Sequence, residues 1–261
     1  MGTQIVIETN NAGVGLYNSA IESLNFYAGH LDQLNEWNKM LDELMILKAK
    51  YDIDYGVEIE DLKILISINS VLSRAIADLH LISCELYLSK IRLKQIFYIK
   101  HAYLIIYETF ENLNKQQSFL NRLAKEAGDT FSANFKKWVN KKKEFFKKYN
   151  LEKSIRTIRD KLAGHIEMDF NLWYETVLSV DPGYTASLII DYMKILEPLQ
   201  SLTTKLVYLY KDNMSNANRN LKQKNNNMLD QLELLVQKIN DQQPEGNKLE
   251  IDLSSLRNLL S

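Results

Sequence analysis

The longest stretch of this chain without a helix breaker runs from Glu58 to Glu126 and contains neither proline nor glycine. Within it, apolar residues recur three or four positions apart, which is the period of an amphipathic helix. The whole chain of 261 residues has nine glycines and three prolines, too few for the frequent turns of an all-β fold. The sequence therefore predicts an all-α protein, a bundle of long helices.

Breaks in the helical pattern divide the first half of the chain. Apolar spacing predicts a helix from about Leu16 to Lys50, and Asp52–Gly56 interrupts it. Two helices are predicted between Glu58 and Glu126, dividing between Leu88 and Lys94, with a single bent helix as the alternative. A turn at Gly128–Thr130 then precedes a helix with a buried aromatic stripe.

The second half begins where Asn150 is predicted to end that aromatic helix. A shorter helix follows over about residues 152–163. Asp181–Gly183 forms a turn before a helix from about Thr185 to Lys211, which Pro198 is expected to kink or interrupt.

The resulting domain prediction has three parts. Residues 1–13 form an N-terminal arm, residues 14–211 the helical bundle core, and residues 212–261 a polar tail with one more candidate helix at Met228–Ile239. Short β-like runs lie at Gln4–Glu8 and Leu249–Leu253, and they either pair with each other or stay unpaired.

Compartment signals are few. Cys84 is the only cysteine, so no intrachain disulfide is possible and a reducing compartment is expected. The first residues lack the basic start and apolar stretch of a secretory signal, and no run of about eighteen apolar residues offers a membrane span. We expect a cytoplasmic protein without a membrane partner.

Positive charge is concentrated in one region although the chain carries a net charge of only −1. Eleven basic residues lie between Lys136 and Lys161, opposed there by only three acidic ones. This imbalance predicts an electropositive face that binds RNA, and the alternative is a lysine-rich helix surface that faces only solvent. The candidate RNA-binding residues are Lys136, Lys137, Lys141, Lys142, Lys143, Lys147, Lys148 and Arg156.

Arg159 and His165 are the residue types that metal-independent RNA cleavage requires. A histidine titrates near neutral pH and can act as general acid or base toward the ribose 2′-hydroxyl and the leaving oxygen. An arginine fork stabilises the extra negative charge of the phosphorane-like transition state. The alternatives are purely structural roles. Arg159 would form an ion pair with a neighbouring acid, and His165 would lie at a helix end and interact with the helix dipole.

The run Arg159-Asp160-Lys161-Leu162-Ala163-Gly164-His165 resembles the signature of the HEPN superfamily, an arginine and a polar residue followed after a short interval by a histidine. It looks especially like the abortive-infection, toxin-like branch of that family. The resemblance implies a four-helix core with extra helices and a metal-independent endoribonuclease without cofactors that leaves a cyclic phosphate. It also implies a homodimer, with a toxin or phage-defence role beside an antitoxin or defence partner protein.

The spacing of this motif places a condition on its geometry. Residues six apart on a regular helix point roughly 120° away from each other. Gly164 can end or distort the helix and turn His165 toward Arg159. Alternatively, two copies of the motif meet across the dimer that the family resemblance implies.

His101 and Glu108 form a second polar pair. They lie seven positions apart, hence on one face of an otherwise apolar and aromatic helix. Glu108 is predicted to support the Arg159–His165 site together with Asp160 and His101, and the alternative is a solvated helix edge. His165, Glu167 and Asp169 alternate but have no second histidine nearby, so no metal site is predicted.

A second hypothesis is not catalytic. In it the bundle is a helical scaffold subunit that binds RNA or protein through its basic helix or its tail. About sixty residues beyond a minimal four-helix core favour this hypothesis.

Overall fold

The computed structural model describes residues 11–51, 55, 57–150 and 181–241, and these residues form five helices and no strand. The predicted all-α class is confirmed. Both β-like runs and the predicted helix over residues 152–163 lie outside the described residues. The five helices are α1 (Asn11–Tyr51), α2 (Ile59–Leu88), α3 (Arg92–Glu126), α4 (Asp129–Tyr149) and α5 (Pro182–Asp241).

The predicted division between α2 and α3 is confirmed, since only residues 89–91 separate the two helices. The side-chain amide of Gln95 donates to the Ser89 carbonyl at 2.8 Å and closes this turn. Within the turn predicted before α4, Gly128 is the N-cap of the helix. Gly128 has a φ of 106°, a backbone conformation that favours glycine.

The last helix is longer than predicted. The sequence prediction ended it at about Lys211 and expected Pro198 to kink or interrupt it, whereas α5 continues through Pro198 to Asp241. A proline inside a helix removes one backbone hydrogen bond and its ring clashes with the preceding turn, which together cost about 3 kcal/mol. The buried residues Leu196 and Leu199 flank the proline, and each buried leucine contributes roughly 2 kcal/mol. Packing therefore holds this helix together across Pro198.

The apolar core follows the predicted helical period. On α1, every seventh residue from Ala20 to Leu41 is buried, which gives a narrow seam. The α2 helix contributes Leu65, Leu72, Ile76 and Leu79, all fully buried. Among the described residues, only α2 is long and apolar enough by composition to cross a membrane, and 56% of its apolar window is buried, as in a core helix.

The chain divides into two compact units. The first comprises Met1–Glu43 and Glu60–Val207, and the second comprises Leu44–Ile59 and Tyr208–Ser261. In the second unit, the Lys48 ammonium donates to the Glu58 carboxylate at 3.4 Å. The basic surface of α4 and the cleft described below belong to the first unit.

A buried amide in the first unit joins three helices. Asn69 on α2 is fully buried, and its oxygen accepts a hydrogen bond from His30 Nε2 on α1 at 2.8 Å. Its amide nitrogen donates to the hydroxyls of Thr203 at 3.0 Å and Thr204 at 2.8 Å, both on α5. The Ser73 hydroxyl donates to the same Asn69 oxygen at 3.4 Å. All four hydrogen-bonding positions of this amide are therefore occupied.

Candidate nucleic-acid interface

The α4 helix presents an aromatic face to the core and a basic face to solvent. Phe135, Trp138, Phe145 and Tyr149 are buried, as the sequence predicted. Phe145 packs against Tyr192 of α5 with ring centroids 5.3 Å apart. The helix ends at Asn150, which adopts the left-handed conformation expected of a C-cap. This packing fixes which lysines of α4 face outward.

Three of the exposed lysines form one row along α4. Lys136, Lys143 and Lys147 are spaced seven and four residues apart, so they lie on the same face of the helix. In the part of the chain that the structure describes, no carboxylate lies within ion-pair distance of them. We refer to these three residues as the outer lysine row.

Two further exposed lysines, Lys137 and Lys141, lie one turn apart on the flank of α4 that faces α5. Together with Lys205 of α5 they line a cleft of about 490 Å³ between the two helices. Phe131 and Trp138 contribute aromatic walls to it. We refer to this feature as the α4–α5 cleft.

Lys142 is not part of the exposed basic surface, contrary to its predicted RNA-binding role. It is only 7% exposed, and its ammonium donates to the side-chain oxygens of Asn114, at 2.8 Å, and of Gln117, both on α3. The ammonium also lies 5.0 Å from the centroid of the Trp138 ring, a cation–π distance. Lys142 therefore joins α4 to α3.

Lys148 is exposed but paired. Its ammonium donates to Asp191 Oδ2 at 2.5 Å, and the Tyr149 hydroxyl donates to the same oxygen at 2.7 Å. Hydrogen bonds from Lys148, Tyr149 and Lys194 hold the pKa of the Asp191 carboxyl well below its usual range. The predicted role of Lys148 in RNA binding would have to compete with this pair.

The burial of Lys142 predicts a dependence of stability on pH. Burial, and secondarily the neighbouring Lys143, lowers the pKa of the Lys142 ammonium below 10.5. The unfolded chain then retains this proton to higher pH than the folded chain, so stability rises as pH increases from the lowered pKa toward 10.5. Lys142→Met should remove this rise and change stability at pH 7 by no more than about 1 kcal/mol.

Urea unfolding at pH 7 and at pH 10 measures this effect, with the exposed Lys143→Met as the matched control. The difference in unfolding free energy between the native protein and Lys142→Met should grow with pH, whereas that between the native protein and Lys143→Met should not. Parallel pH profiles for the native protein and Lys142→Met would contradict the assignment.

The second predicted pair is exposed rather than buried. His101 donates from Nδ1 to the Phe97 carbonyl at 2.9 Å, and its ring lies against the Phe97 ring at 4.2 Å between centroids. Glu108 is also exposed, so the alternative of a solvated helix edge agrees with the structure. The contact predicted between Glu108 and Arg159 stays a prediction.

The predicted catalytic segment lies outside the described residues. This applies to Arg156, Arg159, Asp160 and His165, all within residues 151–180. The convergence of Arg159 and His165 is therefore still a prediction. Within residues 11–51, 57–150 and 181–241, no three His, Cys, Asp or Glu side chains come together as metal ligands.

Two histidines that the sequence did not single out, His30 and His80, have long-range partners. His80 Nδ1 contacts the Ser23 hydroxyl of α1, and its Nε2 lies 3.8 Å from Glu197 Oε1 of α5. Burial lowers the pKa of His80, and Glu197 opposes this shift. These partners are far apart in sequence, so no local pattern could have revealed them.

Comparison with protein-family models, with curated proteins and with solved structures finds no significant match to this chain.

Proposed function

We propose that the protein binds RNA along the basic face of α4 and cleaves it without a metal ion. The observation that carries the proposal is the unopposed positive charge of α4, whose seven lysines face only two acidic residues in the same helix. Five of these lysines are exposed and have no ion-pair partner among the described residues. Such a surface attracts the phosphate backbone of a nucleic acid.

The preference for RNA over DNA comes from the chemistry of the motif. The ribose 2′-hydroxyl is an internal nucleophile: its oxygen bonds to phosphorus as the bond from phosphorus to the 5′-oxygen breaks, which leaves a cyclic phosphate. The proton lost by the 2′-hydroxyl is balanced by the proton that the leaving 5′-oxygen gains, so a histidine can serve these transfers while an arginine neutralises the phosphate. His165 is the proposed general acid or base, and Arg159 binds the scissile phosphate. Both residues lie shortly after α4 in the sequence, since α4 ends at Tyr149.

The biological setting of this proposal comes from the HEPN-like motif alone. On a regular helix, Arg159 and His165 would point away from each other. In a homodimer, Arg159 of one copy could instead meet His165 of the other. A toxin or phage-defence role would require a partner, an antitoxin or another defence protein, that keeps the activity off.

Reversing the charge of the outer lysine row should weaken RNA binding. Replacing Lys136, Lys143 and Lys147 with glutamate removes up to three phosphate contacts, so the slope of log affinity against log salt should decrease in magnitude by about 2 for single-stranded RNA. Titration of a fluorescent oligoribonucleotide at several salt concentrations measures this slope.

The matched control replaces Lys39, Lys90 and Lys125 with glutamate. These lysines are exposed and lie on α1, between α2 and α3, and on α3. The control changes the net charge equally and should leave the slope within experimental error. If both variants change the slope equally, the outer lysine row is only a solvated face.

A non-catalytic binding subunit is the second candidate, and one observation in the second compact unit favours it. Met228, Leu232 and Leu235 lie four and three residues apart on α5, and each is more than 40% exposed. An exposed apolar stripe of this kind is typical of a helix that docks on another protein. Under this candidate the chain would bind RNA or a partner protein and would leave RNA intact.

A further inference from the structure

The α4–α5 cleft carries cations from two helices and no acidic residue. Lys137 and Lys141 approach it from α4, and Lys205 approaches from α5. Among the described residues no carboxylate pairs with any of these three lysines. Like charges gathered in one cleft repel each other, and an anion bound between them relieves that repulsion. The charge of the cleft therefore favours a phosphate group.

An unpaired donor belongs to the wall of the same cleft. Trp138 is only 3% exposed, and its indole N–H has no hydrogen-bond partner in the described part of the chain. The indole nitrogen is a donor only, and a buried donor without a partner is rare. Because the indole nitrogen itself is enclosed by the protein, a ligand in the cleft would meet it only after a shift of the Trp138 ring. The case for a bound molecule therefore rests on the lysines and on the other lining residues.

The remaining lining residues suit a planar, polar molecule. Phe131 is half-buried and provides an aromatic surface beside Trp138, on which a nucleobase can stack. Asn134 and Ser201 supply an amide and a hydroxyl, which can bond the edge of a base or a ribose hydroxyl. A volume of about 490 Å³ lies within the range of small-molecule sites.

We propose that the α4–α5 cleft binds one phosphorylated nucleoside, either a free nucleotide or a single unit of an RNA strand. The lysines bind the phosphate, the Phe131 ring binds the base, and Asn134 and Ser201 bind polar edges. This binding requires neither Arg159 nor His165, so it does not depend on the proposed cleavage reaction.

Calorimetric titration of the full chain with AMP, UMP, adenosine and inorganic phosphate tests the proposal. Replacing Lys137, Lys141 and Lys205 with alanine should reduce the affinity for AMP by about tenfold or more, because three charge-assisted contacts are lost. Alanine at the outer lysine row removes the same charge outside the cleft and should change this affinity by less than about twofold. All six lysines are exposed, so both variants should fold, and circular dichroism verifies this.

Competition with a short oligoribonucleotide distinguishes the two sources of the nucleotide. If the oligomer displaces AMP and also needs the cleft lysines, the site accepts a unit of RNA. If the cleft lysines are needed for AMP binding but not for oligomer binding, the ligand is a free nucleotide. Both results support the site.

Three results would overturn the proposal: no binding of AMP or UMP, equal losses in the two lysine variants, or phosphate binding as tight as AMP binding. None of them bears on cleavage, which is measured separately on RNA.

Discussion

Replacing His165 with alanine is expected to slow RNA cleavage by about 10²–10⁴-fold, the usual contribution of a general acid or base. Binding should change little, because affinity comes from the lysines of α4 rather than from one neutral imidazole. Arg159→Ala should slow cleavage by about 10²–10³-fold, since it removes a donor to the charge that develops on the phosphate. Single-turnover cleavage of a labelled RNA at saturating protein measures both effects.

Arg156→Ala is the matched control for Arg159→Ala, since it removes the same type of side chain three positions earlier. It should weaken binding modestly and leave the single-turnover rate at saturation close to native. Native cleavage by His165→Ala would refute the assignment of the general acid or base. Equal rate losses in the two arginine variants would show that Arg159 contributes only charge.

Asn69→Ala should lower the free energy of unfolding by about 3 kcal/mol, because it removes the amide that joins α1, α2 and α5. The Thr203 hydroxyl donates to the Gln200 carbonyl at 3.0 Å. Its oxygen accepts from the Asn69 amide, and the substitution would remove that donor. His30 would lose its acceptor as well. Thermal and urea unfolding measure the change, and the melting temperature should fall by about 10 °C.

Ser67→Ala is the control on the same helix. Ser67 is exposed, and its hydroxyl donates only locally, to the Lys63 carbonyl at 3.0 Å. Its loss should cost less than about 0.5 kcal/mol, as is usual for surface positions. If Asn69→Ala were as stable as Ser67→Ala, the buried amide would contribute nothing measurable to the free energy of unfolding.

Helix positions could be predicted wherever apolar period and breakers agree. The break between α2 and α3, the aromatic stripe of α4 and its end at Asn150 were all visible in the sequence. Residues 212–227 of α5 were not predicted as helix, although Met228–Ile239 was, because asparagine, which is frequent in this stretch, is only a weak helix former. The better signal there was the absence of any proline or glycine between Leu199 and Gln243.

Counting charges along the sequence located the basic surface. It could not show which of the lysines belong to that surface. Lys142 stands in a run of three lysines, and only the helix packing shows that it points inward while Lys141 and Lys143 point outward. Lys148 has Asp191 as its partner, a residue on another helix. Long-range partners of this kind, like those of Asn69 and His80, depend on tertiary structure and leave no trace in local spacing.

The central claim is that this chain cleaves RNA without a metal ion. Incubating the purified full chain with RNA, in the presence and absence of EDTA, and analysing the product ends tests it most directly. We expect cleavage that EDTA leaves unchanged, products ending in a cyclic phosphate, and cleavage by His165→Ala that is slower by about 10²-fold or more under the same conditions. Intact RNA, or cleavage that EDTA abolishes, would contradict it.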